Sequence, residues 1–255
     1  MTTQPTTNDE STRSAGLLRA SQRLSRTGLF MAETLVHAAV SATAKNDPLS
    51  MAKRMSWVAE NVCALHGIQV IEQGYMPETP CVLVANHVSY VEPIALVSRF
   101  PATAIAKREV GDWPVVGPAV RSLGVMLVDR SSPASGARVL FEAWQRLRAG
   151  VSVVVFPEGT TTAGDDVLPF RRGIFGIAKL AGVPIIPVAI RYDGPDVAWL
   201  GDDPFLPHYL RTTARERTRC YLTYGTPLET ERTDLDADGL AELARERIRT
   251  MLRRH

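Results

Sequence analysis

The segment Asn86-His87-Val88-Ser89-Tyr90-Val91-Glu92-Pro93 places a histidine five positions ahead of a carboxylate. A neutral imidazole, with an ordinary pKa of roughly 6.5, can take a proton from a hydroxyl at neutral pH. A carboxylate on its other nitrogen fixes the tautomer and stabilises the imidazolium that forms. On a single helix a five-residue spacing would turn the two side chains about 140° apart. The pair therefore needs a turn, and the flanks supply one. The short apolar run Cys81–Ala85, bounded upstream by Pro77 and Pro80, predicts a buried strand. Pro93 suits the first position of a helix that continues through Ile94, Leu96 and Val97. A histidine ending a strand beside an ordinary surface glutamate is the other reading of this segment taken alone.

Two further strand ends carry chemistry. Gly124–Val128 leads to Asp129-Arg130 and Val151–Phe156 leads to Pro157-Glu158-Gly159-Thr160-Thr161-Thr162, while a further strand at Ala102–Ala106 leads to Lys107. In open α/β sheets ligands gather where the C-terminal ends of strands converge, so these ends can build one site with His87. Gly159 lets backbone N–H groups approach an anion, the threonine hydroxyls add donors, and Arg130 offers a rigid fork for phosphate. Taken singly, Gly159 is a turn residue, Thr160 or Thr161 a helix cap and Arg130 a surface charge. Ser89 shares the turn with His87, but the chain has no GxSxG elbow, which disfavours a covalent intermediate on serine.

The elements that must position these residues alternate as in an α/β protein. Residues 1–14 are too polar to fold and read as a disordered tail. From residue 15 to 44 Leu17, Leu24 and Met31 recur at heptad spacing, with Arg19, Arg23 and Arg26 on another face. Thr27-Gly28 suggests a break into two helices with Thr27 capping the second. Within it residues 29–44, interrupted by Glu33 and His37, are too few to cross a bilayer. The stretch can lie along one, with the arginines toward headgroups and Phe30 and Met31 in the acyl boundary, or pack on the domain. Helical periodicity also marks residues 49–65, 134–149, 174–181 and 236–252. Strands are expected at 68–71, 183–190 and 219–224, and the prolines at 184 and 187 argue for an edge or a bulge. Residues 191–217 read as irregular.

At 255 residues with 45% hydrophobic content, the chain can bury one substantial core. A formal charge of +2 does not call for nucleic acid. Cys63, Cys81 and Cys220 are few and scattered, which points to buried, reduced thiols in a reducing compartment. The histidines show no ligand spacing, so no metal is expected. The polar start with Asp9 and Glu10 does not resemble a secretory signal, and export is not expected.

Four blocks in order resemble the glycerolipid acyltransferases of the 1-acylglycerol-3-phosphate (lysophosphatidic acid) acyltransferase type. They are Asn86–Glu92 against NHxSxxD, Gly124–Arg130 against the block ending in Asp-Arg, Phe156–Thr160 against FPEGTRS, and Val183–Val188 against the fourth block. The likeness spans residues 65–228. It implies an α/β fold with a mixed, largely parallel sheet flanked by helices, preceded by N-terminal amphipathic helices. Domain limits follow as a tail at 1–14, a helical, membrane-associating segment at 15–65, and an acyltransferase domain at 66–255.

The implied activity is transfer of a fatty acyl group from acyl-CoA or an acyl carrier protein to a lysophospholipid hydroxyl. The enzyme would sit peripherally on the cytoplasmic face of a membrane, with no cofactor beyond the co-substrate. 1-Acylglycerol-3-phosphate is the first acceptor implied. The alternatives are another lyso-lipid, such as a lyso-aminolipid, or a non-catalytic lipid-binding homologue. His87 and Glu92 take the catalytic places; Arg130, Glu158, Gly159, Thr160, Thr161, Lys107 and Arg171 take the substrate-binding ones. Two positions depart from the resembled pattern. Glu92 stands for aspartate, and Thr161 stands for the arginine associated with the acceptor's phosphate, which Arg130, Arg171, Arg172 or Lys107 would have to replace.

Overall fold

A four-residue run with no polar member, Val82–Ala85, needs apolar cover on both faces, and that requirement organises the chain. The computed structural model describes residues 7–40, 47–75, 80–113, 116–201 and 203–253. Its strands are β1 Ile68–Gly74, β2 Val82–Ala85, β3 Ala102–Lys107, β4 Met126–Val128, β5 Ser152–Val155, β6 Ile185–Tyr192 and β7 Thr218–Tyr224. Its α-helices are α1 Thr7–Val40, α2 Pro48–His66, α3 Val91–Arg99, α4 Val116–Ser122, α5 Pro133–Arg148, α6 Gly173–Ala181, α7 Phe205–Ala214 and α8 Ala237–Arg253. The strands form one sheet in the order β1-β7-β6-β2-β5-β3-β4. All pairs are parallel except β6 with β7. The fold is α/β with a mixed, largely parallel sheet, as the pattern of elements implies.

Alternation splits the sheet's side chains between two cores. Leu83, Ala85, Val154, Ile186 and Leu222 join Met55, Val58 and Val62 of α2 and Ala95, Leu96 and Val97 of α3. Val82, Val84, Val153 and Ile185 face the other way, toward Ala143 and Leu147 of α5, Phe175 of α6 and Ile248 of α8. Burial of both faces leaves the strand ends and their loops as the place where polar chemistry can sit.

Four expectations change. Pro187 lies in an interior strand between β2 and β7, not at an edge. It is tolerated because pairing with β7 starts one residue later, at Val188, while its carbonyl accepts from Gly225 N at 2.8 Å. The N-terminal helix is continuous from Thr7 to Val40, so Thr27-Gly28 does not divide it, and it begins inside the stretch read as a tail. Residues 1–6 and 41–46 lie outside the described residues.

The docking of α1 follows the second of the two readings, packing on the domain. Arg19 donates to Ala214 O (2.6 Å), and Arg23 donates to Thr213 O (2.7 Å), Arg215 O (2.6 Å) and Glu216 O (2.9 Å). These arginines cap the C-terminal end of α7, where carbonyls lack helical partners, instead of reaching for headgroups. Phe30 and Met31 pack against the core, and Phe30 meets Trp57 at 5.5 Å between ring centroids. Leu17, Leu18, Leu24, Leu29 and Val36 are large apolar residues of α1 left exposed. No helix among the described residues is long and apolar enough to cross a membrane.

Finally, α7 lies within the stretch read as irregular. Pro207 reads as a breaker, but it sits in the first turn, where an N–H is not needed.

Candidate active site

The parallel arrangement brings the C-terminal ends of β2, β3, β4 and β5 to one edge of the sheet. Asn86 extends β2 by one residue through its side chain. Its amide donates to Ile190 O (3.0 Å) and accepts from Ile190 N (2.8 Å), imitating a backbone rung and delivering His87 past the end of the sheet. The chain then turns into α3, whose first residue is Val91, so Pro93 is the third helical residue and still within the first turn.

His87 Nδ1 lies 2.7 Å from Glu92 Oε2. Val88 N (3.1 Å) and Ser89 N (2.8 Å) donate to the same oxygen, and Tyr192 Oη donates to Oε1 at 2.6 Å. A carboxylate held by four donors is an acceptor only, so Nδ1 carries the proton and Nε2 keeps its lone pair. Nε2 has no hydrogen-bond partner among the described residues. The imidazole side chain is 14% exposed while Glu92 is fully buried, which leaves the ring reachable from solvent and keeps the carboxylate dry. Phe156 stacks on the ring at 4.3 Å and fixes its plane. Ser89 is fully buried, which denies its hydroxyl a path to a substrate carbonyl.

The loop after β5 encloses this turn. Glu158 Oε1 accepts from His87 N (2.7 Å) and Oε2 from Leu168 N (2.9 Å), so both oxygens of this residue, expected among the substrate contacts, are spent on backbone. Burial pushes the Glu158 carboxyl above its ordinary pKa, and those two N–H donors and His87 pull it back. Thr162 N donates to His87 O at 2.8 Å. Glu158 and Thr162 thus clamp the two sides of the His87 peptide.

Gly159, at φ +76°, turns under two guanidinium groups. A Cβ there would meet Arg171 Nε at 2.9 Å, and Arg130 Nη1 donates to Gly159 O. Burial and the neighbouring charge of Arg171 lower the Arg130 pKa, Glu109 opposing. The guanidinium stays charged at any working pH. Two close cations on one glycine turn favour an anion. Gly159 N itself donates to Phe156 O, and Val88 and Ser89 N are committed to Glu92, so none of these three N–H groups is free to meet an oxyanion.

The N–H groups of Thr160 and Thr161 have no acceptor among the described residues. The Thr161 hydroxyl donates to Trp199 O, and Trp199 N donates to Val88 O at 2.9 Å, which ties the chain around Trp199 across the site. Lys107 ends β3 exposed, and Arg172 pairs outward with Asp238 at 2.8 Å, away from this cluster. No group of three or more acidic, histidine or cysteine side chains that could hold a metal occurs among the described residues.

Sequence reasoning missed Tyr192, the bridging role of Asn86 and the tie through Trp199. Tyr192 ends an apolar strand run on a polar tip, the one local sign of its part.

A family model described as Acyltransferase matches residues 64–191. The chain is 33% identical over 202 residues to a lyso-ornithine lipid O-acyltransferase of Pseudomonas aeruginosa, covering 77% of each chain. It is 34% identical over 118 residues to a 1-acyl-sn-glycerol-3-phosphate acyltransferase of Neisseria gonorrhoeae, covering 46% of each. In three dimensions it resembles the crystal structure of the acyltransferase PlsC from Thermotoga maritima, with a TM-score of 0.71, 20% identity and coverage of 95% and 97% of the two chains.

Proposed function

The chain belongs to the acyltransferase family and is an acyltransferase of the lysophospholipid type; from that premise we propose that it acylates the free hydroxyl of a lyso-aminolipid of the ornithine kind, with His87 as general base. The observation that carries the base assignment is the 2.7 Å contact between His87 Nδ1 and Glu92 Oε2, which leaves Nε2 as the basic atom. Nε2 takes the proton from the acceptor hydroxyl as its oxygen attacks the thioester carbonyl. The new C–O bond forms, the C–S bond breaks, and the departing thiolate takes the proton back from the imidazolium and leaves as free thiol. The N–H groups of Thr160 and Thr161 are the donors available to the carbonyl oxygen as it gains charge.

Two observations support an aminolipid acceptor. The likeness to the lyso-ornithine lipid enzyme extends over three quarters of both chains. Position 161 carries a threonine turned onto the Trp199 carbonyl, where the resembled block has a phosphate-holding arginine. An ornithine headgroup offers a carboxylate, and Arg130 and Arg171 form a matching pair of forks at Gly159. That same pair favours 1-acylglycerol-3-phosphate as a second reading. Acyl-CoA or an acyl carrier protein supplies the thioester.

The proposal places the enzyme peripherally on the cytoplasmic side of a membrane. The large exposed apolar residues of α1 and the three free, buried cysteines support this.

The test is purified protein with labelled acyl thioester and a panel of lyso-lipids. Thiol release that requires a lyso-aminolipid supports the proposal, and release that requires 1-acylglycerol-3-phosphate supports the second reading. Release without acceptor indicates a thioesterase; lipid binding with no release indicates a non-catalytic module. His87→Ala should cost about 10³-fold. Activity within about tenfold of wild type, roughly 1.4 kcal/mol of barrier, sinks the base assignment.

A further inference from the structure

Glu92 is a residue longer by one methylene than the aspartate of the block it resembles, and its second oxygen shows where that length goes. Oε2 receives His87 Nδ1, Val88 N and Ser89 N, all from the turn beside it. Oε1 receives one donor, Tyr192 Oη at 2.6 Å, from the far end of β6. The torsion that sets a carboxylate's plane is broad and nearly two-fold, so donors on one oxygen alone leave the plane loosely held. A hydroxyl on the other oxygen stops that rotation. Tyr192 is itself fixed, because it stands opposite Cys220 in the β6–β7 ladder and packs against the core. The ionisable groups interacting with Glu92 are His87, Glu158, Tyr192 and Cys220. Burial and the nearby Glu92 charge push the phenol far above its ordinary pKa, so it donates at every working pH.

We propose that Tyr192 is a positioning residue for acyl transfer: its hydroxyl locks the Glu92 carboxylate so that Oε2 stays on His87 Nδ1, and the glutamate's extra methylene is what reaches it. The inference rests on His87 being the general base. An aspartate at 92 retracts the carboxylate by about 1.5 Å, opening the Tyr192 contact to about 4 Å, beyond a hydrogen bond. Glu92 and Tyr192 therefore act as one unit.

The experiment is a cycle of Tyr192→Phe, Glu92→Asp and the double variant, read by acceptor-dependent thiol release across pH, with His87→Ala alongside. Tyr192→Phe is expected to lower kcat about tenfold or more with both KM values within about twofold. Removing the hydroxyl also changes how the carboxylate meets the imidazolium, so the acid limb of kcat/KM should move. A residue that only supports the fold lowers the melting temperature without moving that limb. Glu92→Asp should show a comparable loss, and Tyr192→Phe added to it should cost less than about threefold more.

Additive losses overturn the proposal. So does a Tyr192→Phe enzyme within about twofold of wild type with an unmoved acid limb. Glu92→Asp at or above the wild-type rate overturns it even if Tyr192→Phe fails to fold. If His87→Ala keeps its activity, the base assignment fails instead, whatever the cycle gives.

Discussion

Glu158→Gln separates a clamp from a substrate contact. In the wild type the carboxylate accepts two backbone N–H groups, His87 at 2.7 Å and Leu168 at 2.9 Å. Glutamine keeps the shape but has one acceptor oxygen, so its NH₂ must face one of those N–H groups. A hydrogen bond to a charged acceptor contributes about 1.5–3 kcal/mol, and a buried donor left unsatisfied costs about 1–3 kcal/mol. Burial disfavours the Glu158 charge, so neutralising it returns part of that loss. The expected net is about 2 kcal/mol, or a melting temperature about 4–8 °C lower for a chain of this size. Because the freed N–H belongs to either His87 or the loop that covers it, kcat should also fall, about tenfold or more, with KM for the acceptor little changed. Thermal unfolding followed by circular dichroism and steady-state thiol release measure both. An unchanged melting temperature with a raised acceptor KM would refute the clamp and return Glu158 to the substrate.

Two other expectations follow from packing. Leu18→Glu with Leu29→Glu puts charge on exposed positions of α1, so liposome co-sedimentation should drop severalfold while the melting temperature stays within about 2 °C. Equal sedimentation would make α1 purely a docked helix. Burial, and secondarily Arg23, hold the His66 pKa below its ordinary 6.5, and His66 Nε2 accepts from Tyr209 Oη at 2.8 Å only while neutral. Since the unfolded chain binds this proton more readily, the His66 contribution is complete above pH 6.5 and is lost as pH falls through the lower folded value. His66→Gln should flatten the fall in melting temperature between pH 7 and 5, and an unaltered slope would contradict the assignment.

Much of the scaffold is legible in the sequence. The runs Val82–Ala85 and 153–155 announce buried strands because no polar side chain interrupts them. α5 and α8 are marked by an apolar face at helical spacing, and α6 by the Gly182 that ends it. His87 and Glu92 are readable as a pair because a strand-to-helix turn is the local geometry that lets a five-residue spacing close. Where local signals mislead, the physical cause is specific. Pro187 avoids the edge because β7 does not yet need its N–H, and Pro207 avoids breaking α7 because it falls in the first turn.

By itself the sequence determined which residues stand at strand ends and which chemistry they could do. The tertiary structure alone decided what each one faces. Glu158 looks like a ligand contact until its oxygens meet His87 N and Leu168 N, and Arg23 looks like a membrane anchor until it meets the end of α7, some 190 residues on. Tyr192, 100 residues from Glu92, carries no local mark of the carboxylate it holds. The reason is that periodicity encodes the direction of a side chain relative to its own element, whereas its partner depends on which distant element the sheet order lays beside it.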